Sequence, residues 1–271
     1  MWIYYLLIAI GGLALLLLLA ILPSKSRNTA PFDRTTYAHR GLHTNDGQVP
    51  ENSIAAFRAA VQAGYGVELD VQFTADKQIV VFHDSDLKRM CGIDKRVDEL
   101  TYDELSELRL LDSDQHIPLL SEVLEVLDGA TLLCEFKTAR SYFDTSLCKA
   151  TLPLLDDYDG SVCIESFNPF MVRWFRRNAP EYIRGILSKN YEKGEVAQAL
   201  RFPLASLFGN WMCRPDFIAY QHTDHKQPFF RLCRWFGPMT VAWTVRSRAE
   251  EIEAKRRFDA IIFEGYTPTE K

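Results

Sequence analysis

The second half of this chain alternates short apolar, strand-like runs with single helical segments, and that rhythm constrains the fold more than any other feature. TLLCEFK (131–137) precedes a helical pattern near 144–155, SVCIESF (161–167) one near 169–178, and YIRGILS (182–188) one near 192–200. DFIAYQH (216–222) precedes a pattern near 226–235, and MTVAWTV (239–245) the charged run SRAEEIEAKRR, with Ser247 at its start. AIIFEG (260–265) closes the series. Strands separated by one helix each must return parallel, through right-handed crossovers. The first half adds TYAHRG, ending at Gly41, then a helix near 53–63 capped by Asn52 or Ser53 and stopped by Gly64. VELDVQ (67–72) and a helical LLSEVLEVL (119–127) follow. About eight such units predict an α/β protein, a closed (β/α)8 TIM barrel. One core of this kind suits 271 residues at 47% hydrophobic.

One run is surplus. IVVFHD (79–84) follows VELDVQ too closely for a crossover, which needs about ten or more residues. One member of that pair is expected to be a hairpin-like addition near the barrel mouth. The polar stretch between Asp84 and Asp114 reads as an excursion carrying one short helix.

Residues 1–22 form the first unit. Trp2 to Leu22 is apolar without a charge, long enough to cross a hydrocarbon core of about 30 Å. No Lys or Arg precedes it, so a single-pass transmembrane anchor fits better than a cleaved signal peptide. Lys25, Arg27 and Arg34 follow the span, which by the positive-inside rule leaves the globular part on the cytoplasmic side of the cell membrane. Residues 23–34, polar with two prolines, read as a linker, and 35–271 as the domain.

The net charge of −5 offers no basic stripe for nucleic acid, though it allows a small anionic ligand held locally. The six cysteines contain no CxxC and read as reduced structural residues. Nothing in the sequence sets an oligomeric state.

Chemistry-bearing residues collect at strand C-terminal ends, the face on which barrels of this kind build active sites. Glu68 and Asp70 alternate with Val67, Leu69 and Val71, so both carboxylates share one face of an apolar strand. Two such acids resist ionising together without a counter-charge, and a divalent cation is one remedy. With Glu135 they offer oxygen donors only, which suits Mg²⁺ or Ca²⁺ better than zinc. Arg40 and Lys137 are the cations expected beside a phosphate. Three carboxylates, one divalent ion, two basic side chains and a phosphodiester sum to about zero, as a partly buried site requires. His39 and His83, from separate strand ends, suit a base and an acid on opposite sides of a ligand.

HRG (39–41), PENS (50–53), ELD (68–70), HD (83–84), EFK (135–137), SF (166–167) and WTV (243–245) occur in that order. Through them the chain, from about Tyr37 to Pro268, resembles the glycerophosphodiester phosphodiesterases of the phosphatidylinositol-phospholipase-C-like barrel group. The resemblance implies metal-dependent cleavage of a glycerophosphodiester to glycerol 3-phosphate and an alcohol. It implies Glu68, Asp70 and Glu135 as metal ligands, His39 and His83 as the acid/base pair, and Arg40 and Lys137 as phosphate contacts. Glu51, Asn52, Ser166 and Trp243 would stand in a supporting shell or in the pocket wall. The chain departs from the family pattern in FEGYTP, where T-D-x-P is usual, leaving open whether Glu264 replaces a mouth acid. It also departs at Glu165, which precedes Ser166.

Two aromatic segments, Leu204–Met212 and Phe229–Phe236, are read as rim segments of the mouth, either packing on the barrel or forming a lipid-touching lip. The same phosphodiesterase chemistry on a lysophospholipid is the nearest alternative. A glycosidase using Glu68 and Glu135 would leave Arg40, Lys137 and both histidines unexplained. A non-catalytic anchored binding protein would leave the whole polar set without a purpose.

Overall fold

The structure, a computed structural model, describes residues 1–24, 29–44, 47–138 and 140–269. Lys25 and Arg27, on which the orientation of the apolar segment partly rests, lie outside the described residues. That segment is one helix, α1 (Trp2–Ile21), and only its last turn touches the domain.

Chain order then runs β1 (Thr36–His39), α2 (Ile54–Gln62), β2 (Gly66–Phe73), β3 (Ile79–Val81), α3 (Lys88–Cys91), α4 (Tyr102–Ser106), α5 (Leu120–Leu127) and β4 (Leu132–Phe136). Regular alternation follows with α6 (Ser146–Asp156), β5 (Val162–Ser166), α7 (Pro169–Asn178) and β6 (Ile183–Ser188). The chain continues through α8 (Gln198–Ala205), α9 (Asn210–Cys213), β7 (Phe217–Gln221), α10 (Pro228–Arg234), β8 (Met239–Val245), α11 (Arg248–Lys255) and β9 (Ala260–Phe263). Eight strands pair in parallel and close where β1 meets both β9 and β2. The ninth, β3, hangs antiparallel on β2, and is the hairpin addition that the short gap required.

Period-2 alternation divides every stave. Val67, Leu69, Val71, Cys134 and Phe136 face the surrounding helices, whereas Tyr37, Leu133, Cys163 and Phe217 fill the barrel interior. One pleat repeat further along, the inward positions become His39, Glu135 and Glu165, so the interior changes from apolar to ionisable within two residues of each strand. Phe32, from the segment before β1, joins the interior cluster and plugs the floor.

Three expectations need correcting. The polar excursion holds two short helices and a 3₁₀ turn at Val97–Glu99, not one helix. They wrap a separate small core of Leu87, Met90, Val97, Leu100, Leu105 and Leu110, whose irregular spacing hides it from any periodicity. The helix after β6 starts at Gln198 instead of near 192, because Gly194 sits at φ 98°, outside helical space. The aromatic segments rim the mouth only in part. Leu204 O and Ala205 O accept from Ser188 and Tyr220 near the C-terminal ends of β6 and β7, and there Phe208 packs on Phe202 and Phe229. Trp211, Trp235 and Phe236 lie exposed in the segments leading into β7 and β8, at the opposite end.

Candidate active site

The first side chains come from the end of β1. Gly41 turns the chain at φ 80°, where a Cβ would fall 2.7 Å from the Ala56 backbone, so only glycine fits. Before it, Arg40 takes a left-handed φ of 55°, a strained choice for a non-glycine residue that costs on the order of 1 kcal/mol. That turn aims the Arg40 amide at Glu68 Oε2 (2.9 Å) and its guanidinium at Glu51 Oε1 (2.7 Å), with Nε 3.5 Å from Asp70 Oδ2. Asn52, also left-handed, donates from Nδ2 to Asp70 Oδ2 at 2.8 Å.

Lys137 Nζ lies 2.7 Å from both Asp70 Oδ1 and Glu135 Oε1, bridging neighbouring strands. Glu68, Asp70 and Glu135, all buried, each bring one oxygen to within 4.8 Å of the others. This trio could hold a metal ion.

The electrostatics point the same way. Four buried carboxylates, counting Glu165, face two cations, Arg40 and Lys137. Burial, then the neighbouring acids Asp70, Glu135 and Glu165, push the Glu68 carboxyl well above its ordinary range. Glu165 is driven up by burial and Glu135, and its Oε2 has no hydrogen-bond partner. Asp70 behaves oppositely: burial would raise it, but Lys137, His83 and Arg40 outweigh that and hold it well below. Too many acids for the positive charge at hand, with oxygen donors only, is what a site for a hard divalent cation requires.

His39 is pushed from 6.5 down to about 4 by burial, against the opposing pull of its hydrogen bond to Glu264. It is therefore neutral near pH 7, with Nδ1–H donating to Glu264 Oε2 and Nε2 left as an acceptor 3.9 Å from Glu68 Oε2. Burial would raise Glu264, but His39 and Arg246 hold it down at about 2, with Arg246 Nε 2.6 Å from Oε1. His83 Nδ1 pairs with Asp84 Oδ1 at 2.7 Å. Arg89 extends the chain of contacts, from Asp84 Oδ2 (2.6 Å) to both oxygens of Glu51 (2.6 and 3.0 Å), and so back to Arg40.

A cavity at the strand C-terminal ends is lined by His39, Arg40, Glu68, His83, Glu135 and Glu165, with Phe167, Leu187 and Trp243 as its apolar wall. A register shift between Ala242 and Val245 sets the Trp243 strand end, and Phe167 meets its ring edge-on at 5.5 Å. Ser166 does not line this cavity: its hydroxyl donates to Phe136 O and accepts from the Asn168 amide. Asp70 and Lys137 sit behind the lining, and Glu51 and Asn52 behind Arg40 and Asp70.

Four charged participants were not assigned from sequence: Glu264, Glu165, Arg89 and Arg246. Glu264 and Glu165 were visible as departures in the strand-end motifs, and the parity of Glu165 with inward Cys163 was available. Arg89 carried no signal, since it comes from the excursion.

A profile of the glycerophosphoryl diester phosphodiesterase family matches residues 39–265. The chain belongs to that family. A glycerophosphodiester phosphodiesterase from Caldanaerobacter subterraneus is 34% identical over 188 residues, 63% of this chain and 73% of that protein. A human lysophospholipase D is 35% identical over 150 residues, 49% of this chain and 47% of that protein, so this match spans about half of each. Among solved structures, a phosphodiesterase from Oleispira antarctica, in complex with sn-glycerol-3-phosphate, superposes with a TM-score of 0.71 at 22% identity. That likeness covers 86% of this chain and 94% of the other, and concerns the fold. Family membership makes the chain a phosphodiesterase and accounts for the crowd of acids and cations at one end of the barrel.

Proposed function

We propose that the chain is a membrane-anchored, metal-dependent hydrolase that converts glycerophosphodiesters to glycerol 3-phosphate and an alcohol. The observation that carries this reading is the convergence of Glu68, Asp70 and Glu135 beside Arg40 and Lys137, with His39 and His83 lining the same cavity. The three acids would hold one Mg²⁺ or Ca²⁺, which when bound supplies positive charge that polarises the phosphoryl group. Arg40 meets the phosphate oxygens, held in aim by Glu51 and its strained backbone, and Lys137 adds positive charge from behind Asp70 and Glu135.

His39 Nε2 takes the proton of the substrate's glycerol hydroxyl, whose oxygen then attacks phosphorus. Glu264 keeps the ring in the tautomer with Nδ1 protonated, which frees Nε2 for this task. The bond from phosphorus to the leaving alcohol breaks, and His83 supplies the proton that this alcohol needs. Water then opens the resulting cyclic phosphate with the proton flow reversed, returning both histidines to their starting states. Trp243, Phe167 and Leu187 form the wall against which the non-reacting part of the substrate rests.

We read α1 as a single-pass anchor, long and apolar enough to cross a bilayer, with the barrel on the cytoplasmic side. The test is an assay of glycerol 3-phosphate release from glycerophosphocholine and glycerophosphoethanolamine, with lysophosphatidate release from a lysophospholipid in parallel. Activity is expected to vanish with EDTA and to return with Mg²⁺ or Ca²⁺. Full activity in EDTA would refute the metal role. Hydrolysis of a β-glycoside with inert phosphodiesters would refute the reaction itself.

A further inference from the structure

The C-terminal end of α1 is not left on a free tether. Its last carbonyls, which no helix can satisfy internally, are taken by side chains of the barrel's outer layer. Asn210 Nδ2 donates to Ile21 O at 3.0 Å, and Arg214 Nη1 to Leu22 O at 2.8 Å and Leu19 O at 3.3 Å. Cys233 Sγ lies 3.3 Å from Ile21 O, and the Ser24 amide donates to Pro215 O at 2.8 Å. Arg214 also places a positive charge at the negative pole of the helix. Ile21 and Asn210 are fully buried in this joint, so α1 leaves the domain at a fixed place. That place is the junction of α9 and α10, just ahead of the first residues of β7 and β8.

Around the exit, large apolar side chains are exposed, as Phe143 and Phe202 also are elsewhere on the domain. Trp235 is 85% exposed, Trp211 60% and Phe236 41%. Arginines surround them. Arg176 reaches from α7 to Met212 O at 2.9 Å, and Arg231 and Arg234 stand exposed on α10, on a protein whose net charge is −5. Tryptophan interleaved with arginine where an apolar helix emerges is the composition of a headgroup-level contact.

We propose that the surface formed by α9, α10 and the end of α7 rests on an anionic bilayer, with Trp211 and Trp235 in its interface, and that the catalytic mouth opens away from the membrane. This rests on the reading of α1 as a membrane span. The catalytic carboxylates lie two to four residues past the starts of their strands, toward the other end, roughly 7–13 Å further along at ~3.3 Å per residue. The mouth therefore draws on glycerophosphodiesters in the aqueous phase, and a lysophospholipid must leave the bilayer to reach it.

The test uses the full chain reconstituted in vesicles of phosphatidylcholine and phosphatidylglycerol, part of the phosphatidylcholine brominated on its acyl chains. Alkaline carbonate extraction first asks whether the chain is integral; release from the membrane overturns the anchor reading and the proposal with it. In vesicles that retain the protein, Trp211→Phe with Trp235→Phe should cut the bromolipid-quenched tryptophan emission roughly threefold, since Trp2 alone would then report the interface. Trp243→Phe should leave the quenched part unchanged. Retention with no loss in the double variant would overturn the docking surface while sparing the anchor. Loss confined to Trp243→Phe would place the mouth on the bilayer, and overturn the proposal. Hydrolysis of glycerophosphocholine should be the same in the double variant as in the parent, which shows that the barrel is folded.

Discussion

Each end of this barrel contains buried arginine and aspartate, and the two ends use them differently. At the floor, Arg184 and Asp216 form a pair: Arg184 Nη1 is 3.4 Å from Asp216 Oδ2, the Arg184 amide donates to the same Oδ2 at 3.2 Å, and the Asp216 amide donates to Arg184 O at 2.7 Å. Opposite charges on neighbouring strands meet there. At the mouth, Arg40 and Lys137 face Glu68, Asp70, Glu135 and Glu165, and burial with mutual repulsion pushes Glu68 and Glu165 well above the ordinary carboxyl range. A buried ion pair across two strands is a fastening between them. An unbalanced cluster is held ready for charge from outside.

Substitutions at the two ends should therefore separate activity from stability. His39→Ala removes the base and should lower kcat by about 10³-fold, within the usual range for general acid–base groups, with little change in urea midpoint. Glu264→Gln keeps the shape but withdraws the charge that orients His39. It should lower kcat by roughly 10²-fold with KM nearly unchanged, and equal loss in both parameters would assign Glu264 to substrate binding instead.

At the floor the pattern reverses. Asp216→Asn leaves Arg184 buried without its anion and should destabilise the fold by about 3 kcal/mol in urea denaturation, with kcat per folded molecule preserved. Gly185→Ala should cost about 1–3 kcal/mol through overpacking, because its Cβ would fall 2.1 Å from the Phe217 ring. Floor variants that abolish activity at full stability would erase the distinction drawn here.

The smallest expected effect is in pH dependence. His39 in the folded chain takes up a proton only near pH 4, against 6.5 when unfolded. Between those values the unfolded state binds more protons, so this residue lowers stability as pH falls from 6.5 toward 4 and is neutral in effect above. The acid limb of kcat/KM should accordingly lie near pH 4, and a limb centred at 6.5 would show that His39 is solvated as an ordinary histidine.

Much of the site was legible from strand patterning. Glu68 and Asp70 share an inward face because side chains alternate, and the same parity carries Glu135, so three ligand candidates could be named without coordinates. The two cations followed from strand-end position and charge balance. Glu264 and Glu165 stood in the motifs as departures, but their partners did not: His39 and Glu264 meet across β1 and β9, at opposite ends of the sequence. Arg89 was beyond reach, since it comes from the excursion, whose small core follows no helical or strand period. Trp211, Trp235 and Phe236 were assigned to the mouth with the rest of their segments because composition reports that a surface is apolar, and not which end of a strand it adjoins.

By itself the sequence determined the barrel, the acidic trio and the apolar first helix, because each is written in a local repeat: one helix per strand, alternate residues on a face, an uninterrupted run without charge. Only the tertiary structure decided which side chain orients His39, which arginine closes the ring through Glu51, and where α1 meets the domain. Those are contacts between residues far apart in the chain, set by how the closed sheet brings its ends together, and no local period carries that information.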